Sequence, residues 1–296
     1  MKLEGFSGVG LGPRLRRFRC GFTLVELLVI VAIIGVLIAI LLPAMAKAKR
    51  CVLRVREMSA AQQLMPAYHA YADDARGKVL PGFVPSSMVN GVSPRQIEVL
   101  DETGAPLLGV RAQRYPWRLA PYLNYDFAAL YKDQSVLSRY RERDDYLYII
   151  SLSPSLGLNA DFVGGKASPG YGFNQTALNT WGAFYVTRID EPRLPSQLIV
   201  FASSRGVDPD SVDLPPIEGY YDVESPYFVG RRWTAEGRFD ENDAPVATGF
   251  VHPRHEGRAV TATIDGHAET LGLSELSDMR RWSNQATRAD WSLSRP

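Results

Sequence analysis

The sequence predicts an α+β chain. A long amino-terminal helix, its first half able to span a membrane, packs with its second half on a carboxy-terminal antiparallel β-sheet domain. Three observations lead there. From Phe22 to Leu42 runs an apolar stretch that from Leu24 on is Leu, Val, Ile and Ala with one charge, Glu26, and one glycine, Gly35. As a helix this run is long enough to cross roughly 30 Å of hydrocarbon. Ala44 to Ala72 is then rich in Ala, Leu, Met, Arg and Gln, all good helix formers. Near the far end, Ala259 to Ile264 alternates as a strand, Asp265-Gly266 is a favoured two-residue hairpin turn, and His267 to Leu271 returns antiparallel. The implied division is a leader over 1–21, a membrane-spanning segment over 22–42, a continuation of the helix over 43–76, and a globular domain over 77–296 that contains the hairpin at 259–271.

The chain has 296 residues and a formal net charge of +1. Lys2, Arg14, Arg16, Arg17 and Arg19 outweigh Glu4 in the leader, so the remainder is slightly acidic. That balance gives no reason to expect a nucleic-acid partner. The cysteines are Cys20 and Cys51, one of them in the leader, so stability must come from the core rather than from an internal disulfide.

The leader is glycine-rich and basic, and its arginines favour the cytoplasmic side. Lys47, Lys49, Arg50, Arg54 and Arg56 on the other flank nearly cancel that bias. A secretory signal peptide fits poorly, because its apolar core is shorter and ends in a small-residue cleavage site. An ordinary signal anchor leaves Glu26 unexplained, since a lone carboxylate among lipid tails is costly and marks a function. The stretch Arg19-Cys20-Gly21-Phe22-Thr23-Leu24-Val25-Glu26 resembles the amino terminus of type IV prepilins and type II secretion pseudopilins. Gly21 matches the last leader residue, Phe22 the new amino terminus and Glu26 the family glutamate, and Pro43 stands where the family usually carries proline.

That resemblance implies a pilin-like fold, with cleavage after Gly21 on the cytoplasmic side and N-methylation of Phe22 by a prepilin peptidase/methyltransferase. It implies assembly roles for Glu26 and Pro43. Its partners would be other pilin-like subunits, in a homo- or hetero-filament, and an inner-membrane assembly platform. The globular domain would lie in the periplasm, on a single-pass anchor in a bacterial inner membrane.

Along the rest of the helix, Met45, Ala48, Val52, Val55, Ser59, Gln62 and Met65 form a mostly apolar stripe expected to meet the globular domain, with Leu64, Tyr68 and Tyr71 adding to it. Pro43 and Pro66 are expected to bend or interrupt the rod, and Gly77 to cap it. The segment His69 to Pro81 resembles the end of the long helix in one bacterial pseudopilin-like family. Pro81 to Arg114 reads as loop, with a short helix or strand at Arg95 to Leu100. Tyr115 to Tyr131 reads as a helix divided by Pro121. Val136 to Ile150 reads as a second helix that turns strand-like at Tyr146. Loop follows to Gly170, where Ser153 replaces the cysteine of a Cys-Pro-Ser segment common in relatives. Tyr171-Gly172-Phe173-Asn174 resembles a family element leading into the sheet. Gln197 to Ala202 is a strong strand. Val207 to Pro226 is an acidic surface loop with Asp208, Asp210, Asp213, Glu218, Asp222 and Glu224, and Arg231 to Ala244 is another charged loop. After Ser274 a short helix to Trp282 precedes a polar tail.

His255, followed by nine residues and Asp265-Gly266, completes an H-x9-DG pattern that the same pseudopilin-like family carries. Three of the four histidines, His252, His255 and His267, fall in this region. Zinc requires three or four convergent ligands, and on a hairpin closed at Asp265-Gly266, His255 and His267 lie several rungs apart. The simpler reading has His255 hydrogen-bonded within the sheet or to the Asp265 loop. Asp240, Glu241, Asn242 and Asp243 offer the hard oxygens that calcium takes, and some secretion pseudopilins hold calcium in a carboxy-terminal loop. A solvated loop is the simpler reading there, and no cofactor is otherwise expected. The chain has no Gly-x-Ser-x-Gly elbow, phosphate-binding glycine loop or Cys-x-x-Cys pair.

The sequence therefore reads as a non-enzymatic pseudopilin. Its rivals are a minor pilin of a type IV pilus and a membrane-tethered binding or enzymatic domain. The leader makes the first testable statement: replacing Gly21 with Ala should slow processing, and a bulkier residue should block it. Mass spectrometry of the membrane-extracted protein reads this directly, and an intact leader in wild-type cells would refute the cleavage site.

Overall fold

A computed structural model describes residues 23–90, 96–131, 137–138, 141–167, 173, 175–207, 217–235 and 238–294. The leader with Gly21 and Phe22, the Tyr171, Gly172 and Asn174 positions, and Asp208, Asp210 and Asp213 lie outside them. Two compact units emerge, Met1–Lys49 and Arg50–Pro296.

Helix α1 spans Leu24–Asp74 and contributes to both units. It is the one helix among the described residues long and apolar enough to cross a membrane. In the first unit every described residue is exposed, including the whole Leu, Val and Ile run. The helix is continuous through both Pro43 and Pro66, so neither proline interrupts it. Each proline forfeits one backbone hydrogen bond. Pro66 and Gln62, whose carbonyl it leaves free, are both exposed, so water can take the bond. The carboxy-terminal cap also differs from the expectation. Arg76, at φ 57°, holds the left-handed position and Gly77 follows at φ 81°. The Gly77 amide donates to Ala72 O and the Arg76 amide to Asp73 O, a Schellman closure one residue earlier than foreseen.

In the second unit the face α1 buries is Glu57, Ala60, Ala61, Leu64, Met65, Ala67, Tyr68 and Ala72. The predicted stripe is corrected here: Met45, Val52 and Val55 stay exposed, and only its Met65 end is buried. The true face contains a charge, Glu57, which hydrophobic periodicity passes over. Its four alanines let the backbone approach closely.

After α1 come α2 (Val110–Gln113), α3 (Tyr115–Leu119) and short 3-10 turns at Ala120–Leu123 and Phe127–Ala129. The expected helix over 115–131 thus breaks near Pro121, but into turns beyond it. Tyr146–Leu152 is helix α4, not a strand. Its buried Tyr146 and Ile150 are four apart, and Trp117 Nε1 donates to Leu147 O at 2.9 Å, which binds α4 to α3. Gln175–Trp181 is α5, unforeseen in the sequence.

The strands are β1 (Leu156–Leu158), β2 (Ile199–Ser203), β3 (Arg205–Gly206), β4 (Ile217–Glu218), β5 (Tyr227–Phe228), β6 (Gly230–Arg231), β7 (Arg258–Thr263) and β8 (Ala268–Gly272). The central sheet is antiparallel in the order β1-β2-β7-β8, with β3-β4 and β5-β6 as separate two-stranded pairs. β1 falls in the stretch read as loop.

Both faces of this sheet are covered. Val260, Ala262, Val200 and Phe201 pack with Leu64, Met65 and Tyr68 of α1. Ile199, Ala202, Ala259 and Leu271 pack with Leu276, Met279, Trp282 and Leu293 on the other side. The two-residue alternation slips between Ile199 and Phe201, where the β2–β7 register shifts, and this puts Val200 and Phe201 on the same face. The short helix expected up to Trp282 is α6 (Leu273–Leu276) with a turn at Met279–Arg281, and these form the second face; the tail beyond is not wholly polar, since Leu293 is buried and its amide donates to Phe228 O at 2.8 Å.

The β7–β8 hairpin is where it was predicted, with a different turn. The last paired residues are Ala262 and Ala268, Gly266 N donates to Thr263 O, and Thr263 N donates to His267 O. Only Gly266, at φ 91°, is left-handed, so this is a three-residue loop closed by a glycine bulge. A side chain at Gly266 would be strained whatever the surrounding space. Gly266→Val should cost about 1–3 kcal/mol, measured as a lowered melting temperature of a fragment beginning at Ala44.

Candidate functional site

The amino-terminal segment begins with a capping box. Thr23 N and Thr23 Oγ1 donate to Glu26 Oε2 at 2.9 and 2.8 Å, while Glu26 N donates back to Thr23 Oγ1 at 3.2 Å. The pairing satisfies two of the orphan groups at the start of α1 and gives the carboxylate two donors from its own chain. Glu26 is exposed on a helix whose other side chains through Leu42 are uncharged, and Pro43 follows directly on that apolar run.

The carboxy-terminal motif docks against the other half of α1. The turn His255-Glu256-Gly257-Arg258 has positive φ at Glu256 (56°) and Gly257 (80°), and the His255 and Arg258 amides and carbonyls exchange bonds across it. This aims the His255 ring at α1, where Nε2 lies 2.6 Å from Glu57 Oε2. With Glu57 ionised, His255 donates. Arg254 stands 3.9 Å from the other oxygen of Glu57, and its guanidinium also donates to the carbonyls of Ser155 and Ser204. At the far end of β7, His69 Nε2 lies 2.7 Å from Ile264 O. Asp265 Oδ1 accepts from Thr263 Oγ1 at 2.6 Å and His267 N at 3.1 Å. Although partial burial opposes it, these bonds hold the Asp265 carboxyl below the usual carboxylate range.

Residues 16–42 match the prokaryotic N-terminal methylation motif. The match supports a type IV pilin-like subunit, processed by a prepilin peptidase, with a single-pass membrane anchor. No curated protein matches the chain, and no solved structure does. The methylation-motif segment holds Glu26, while Pro43 lies just beyond it.

The other candidate residues are dispersed. His255 and His267 sit at opposite ends of β7, His267 in the exposed turn, and His252 packs 5.5 Å from the Phe239 ring. Among the described residues no three His, Cys, Asp or Glu side chains gather as a metal site. In the Asp240–Asp243 loop, Asp240 Oδ1 accepts from Asn242 N and Nδ2 at 2.9 Å each. The Arg205 guanidinium takes the carbonyls of Glu241 and Asp243 at 2.8 and 2.7 Å. Arg205 thus occupies the loop's carbonyls with a charge of its own.

Sequence reasoning missed two features. Glu57 was hidden among helix formers, and nothing local marks it as the partner of His255. The second is a buried charge cluster in which Lys166 Nζ meets Asp222, Asp161 and Glu224 at 2.7, 3.2 and 3.3 Å. Asp222 and Glu224, expected in a surface loop, are buried instead, because Tyr221 and Val223 pair with Leu158 along the β1 edge. Acidic and proline-rich composition suggested exposure, and only the tertiary pairing shows the reverse.

Removing the hydrogen-bond partner of a buried carboxylate leaves that oxygen unsatisfied, which costs about 1–3 kcal/mol. His255→Ala should fall in that range by urea unfolding of the Ala44 fragment, and adding Glu57→Met should recover part of the loss. Equal stability of wild type and His255→Ala would mean that the pair does not hold hairpin to helix.

Proposed function

We propose that this chain is a pseudopilin, a structural subunit of a membrane-anchored, type II secretion-like filament. The observation that carries the reading is the methylation motif over residues 16–42 running into a helix whose first half is apolar and exposed on every side. Such a helix needs lipid or other helices around it. In this reading a prepilin peptidase cuts after Gly21, Phe22 becomes the methylated amino terminus, and the Arg50–Pro296 unit lies in the periplasm. An assembly platform then draws the subunit from the inner membrane into a filament of pilin-like subunits. The H-x9-DG pattern and the His69-to-Pro81 helix end resemble a pseudopilin-like family, while a minor pilin of a type IV pilus shares the same amino terminus.

Glu26 is the assembly residue. Cleavage leaves a free amine on Phe22, four residues before the carboxylate. In a filament, the amine of one subunit reaches Glu26 of a neighbour, and two charges costly in lipid compensate each other. Before that encounter the Thr23 hydroxyl and amide offset part of Glu26's desolvation. A subunit gains its charged partner only when correctly seated, so Glu26 registers one subunit against the next.

Glu26→Ala should insert and be processed normally yet yield few or no filaments, and Glu26→Gln separates charge from shape. The measurement is the yield of sheared filaments, or secretion of a substrate, with membrane fractionation as control. Normal filaments from Glu26→Ala would remove the assembly role and raise the bare-anchor reading above this one.

A further inference from the structure

The Lys166 cluster contains more acid than base. Three carboxylates, Asp161, Asp222 and Glu224, face two cations, Lys166 and Arg232. Lys166 and Asp161 are almost wholly buried, with side chains 1% and 0% exposed. Asp161 receives both cations, Lys166 at 3.2 Å and Arg232 at 2.5 Å. Glu224 also receives both, at 3.3 and 3.4 Å. Asp222 receives only Lys166, through Oδ2 at 2.7 Å, and its buried Oδ1 has no hydrogen-bond partner among the described residues. The other groups facing Asp222 are the phenols of Tyr220 and Tyr221, which burial keeps protonated. Arg114 lies over the Tyr221 ring, 4.9 Å from its centroid. With every acid ionised, the cluster would hold one uncompensated negative charge out of water, which is costly.

The position of Asp222 gives that charge a mechanical consequence. Leu158 N donates to Tyr221 O at 3.0 Å, and Val223 N donates to Leu158 O at 3.1 Å. Asp222 therefore sits between the two bonds that dock this segment on the edge of β1. Glu224 N continues the docking by donating to Gly249 O at 2.8 Å.

We propose that this cluster binds one proton, on Asp222, and acts as a pH-sensitive latch: the 220–224 segment is held to the β1 edge when Asp222 is neutral and loosened when it ionises. Burial, reinforced by Asp161 and Glu224 and opposed by Lys166, pushes the Asp222 carboxyl up to about 7. Burial works against the Lys166 charge, but the surrounding carboxylates outweigh it and hold the ammonium above its ordinary range. The two shifts are compatible because the two remaining carboxylates still compensate Lys166 and Arg232 after Asp222 takes a proton. An acid whose folded pKa lies above its unfolded value contributes stability that is fully present below the unfolded value, near pH 4, and is lost as pH rises to the folded value, near 7. The latch belongs to the Arg50–Pro296 unit and does not rest on the filament reading.

The test is urea unfolding of the full chain in detergent micelles from pH 5 to pH 9, comparing wild type with Asp222→Asn and Glu224→Gln. Relative to Asp222→Asn, the wild-type folding constant should fall about tenfold per pH unit up to about pH 7 and then level off. Glu224→Gln removes the surplus acid, so the fall should move to lower pH, which a purely structural role for Glu224 does not predict. Amide exchange at Leu158 and Val223, corrected for intrinsic rates, should quicken across the same transition. Parallel pH profiles of wild type and Asp222→Asn, or exchange unchanged across the transition, would overturn the latch. Should Asp222→Asn fail to fold, the wild type alone decides by infrared spectroscopy: a buried protonated-carboxyl band present at pH 6 and lost by pH 8 supports the latch, and its absence at pH 6 refutes it.

Discussion

The second half of α1 is held to strand β7 at two points, and the globular unit is arranged around that attachment. Glu57 meets His255 where β7 begins, and His69 meets the Ile264 carbonyl where it ends. Along the helix the two anchors are twelve residues apart by number, about 18 Å at helical rise. The strand between Arg258 and Ile264 covers about 20 Å, so the lengths agree. Between the anchors, alanines alternate with Leu64, Met65 and Tyr68, and Tyr68 meets Phe201 edge-on at 5.7 Å. The polar contacts set register, whereas the apolar face supplies most of the stabilisation, at roughly 25 cal/mol per Å² buried.

Once α1 occupies one face of the sheet, the opposite face needs its own cover. The end of the chain provides it, with Leu276, Met279 and Trp282 against Ile199, Ala259 and Leu271. This explains a strand such as β2, buried on both faces throughout, and it explains why a segment rich in Ser, Arg and Asp is nonetheless structural. Buried charge follows from the same arrangement. Arg254 and the Lys166 cluster lie where the β1 edge and its flanking loops close over the sheet; Lys166 is met there by carboxylates, and Nη2 of Arg254 by two carbonyls.

The first half of α1 obeys the opposite constraint. Its residues from Leu24 to Leu42 are all exposed, an apolar surface of the kind that lipid or other helices cover. One helix thus joins a segment whose apolar surface faces outward to one whose apolar face is covered, and its only early charge, Glu26, is paired locally with Thr23.

By itself the sequence determined the elements whose signals are local. The apolar run, Glu26 and the leader arginines identify the methylation-motif segment, because charge and hydropathy along a membrane helix need no tertiary context. The β7–β8 hairpin was legible from its alternation and from Gly266, since a positive φ is a backbone property. Helix continuity through Pro66, the helical state of Tyr146–Leu152 and the strand at Leu156–Leu158 were not legible, because packing overrides propensity there. The stripe on α1 differs for a related reason: hydrophobic periodicity cannot see that a buried face includes Glu57, on which His255 and Arg254, some two hundred residues away, converge. The burial of Asp222 and Glu224 likewise depends on pairing with the edge of β1. Composition marks acidic residues as exposed, and only the tertiary structure brings Lys166 to both of them and Arg232 to Glu224.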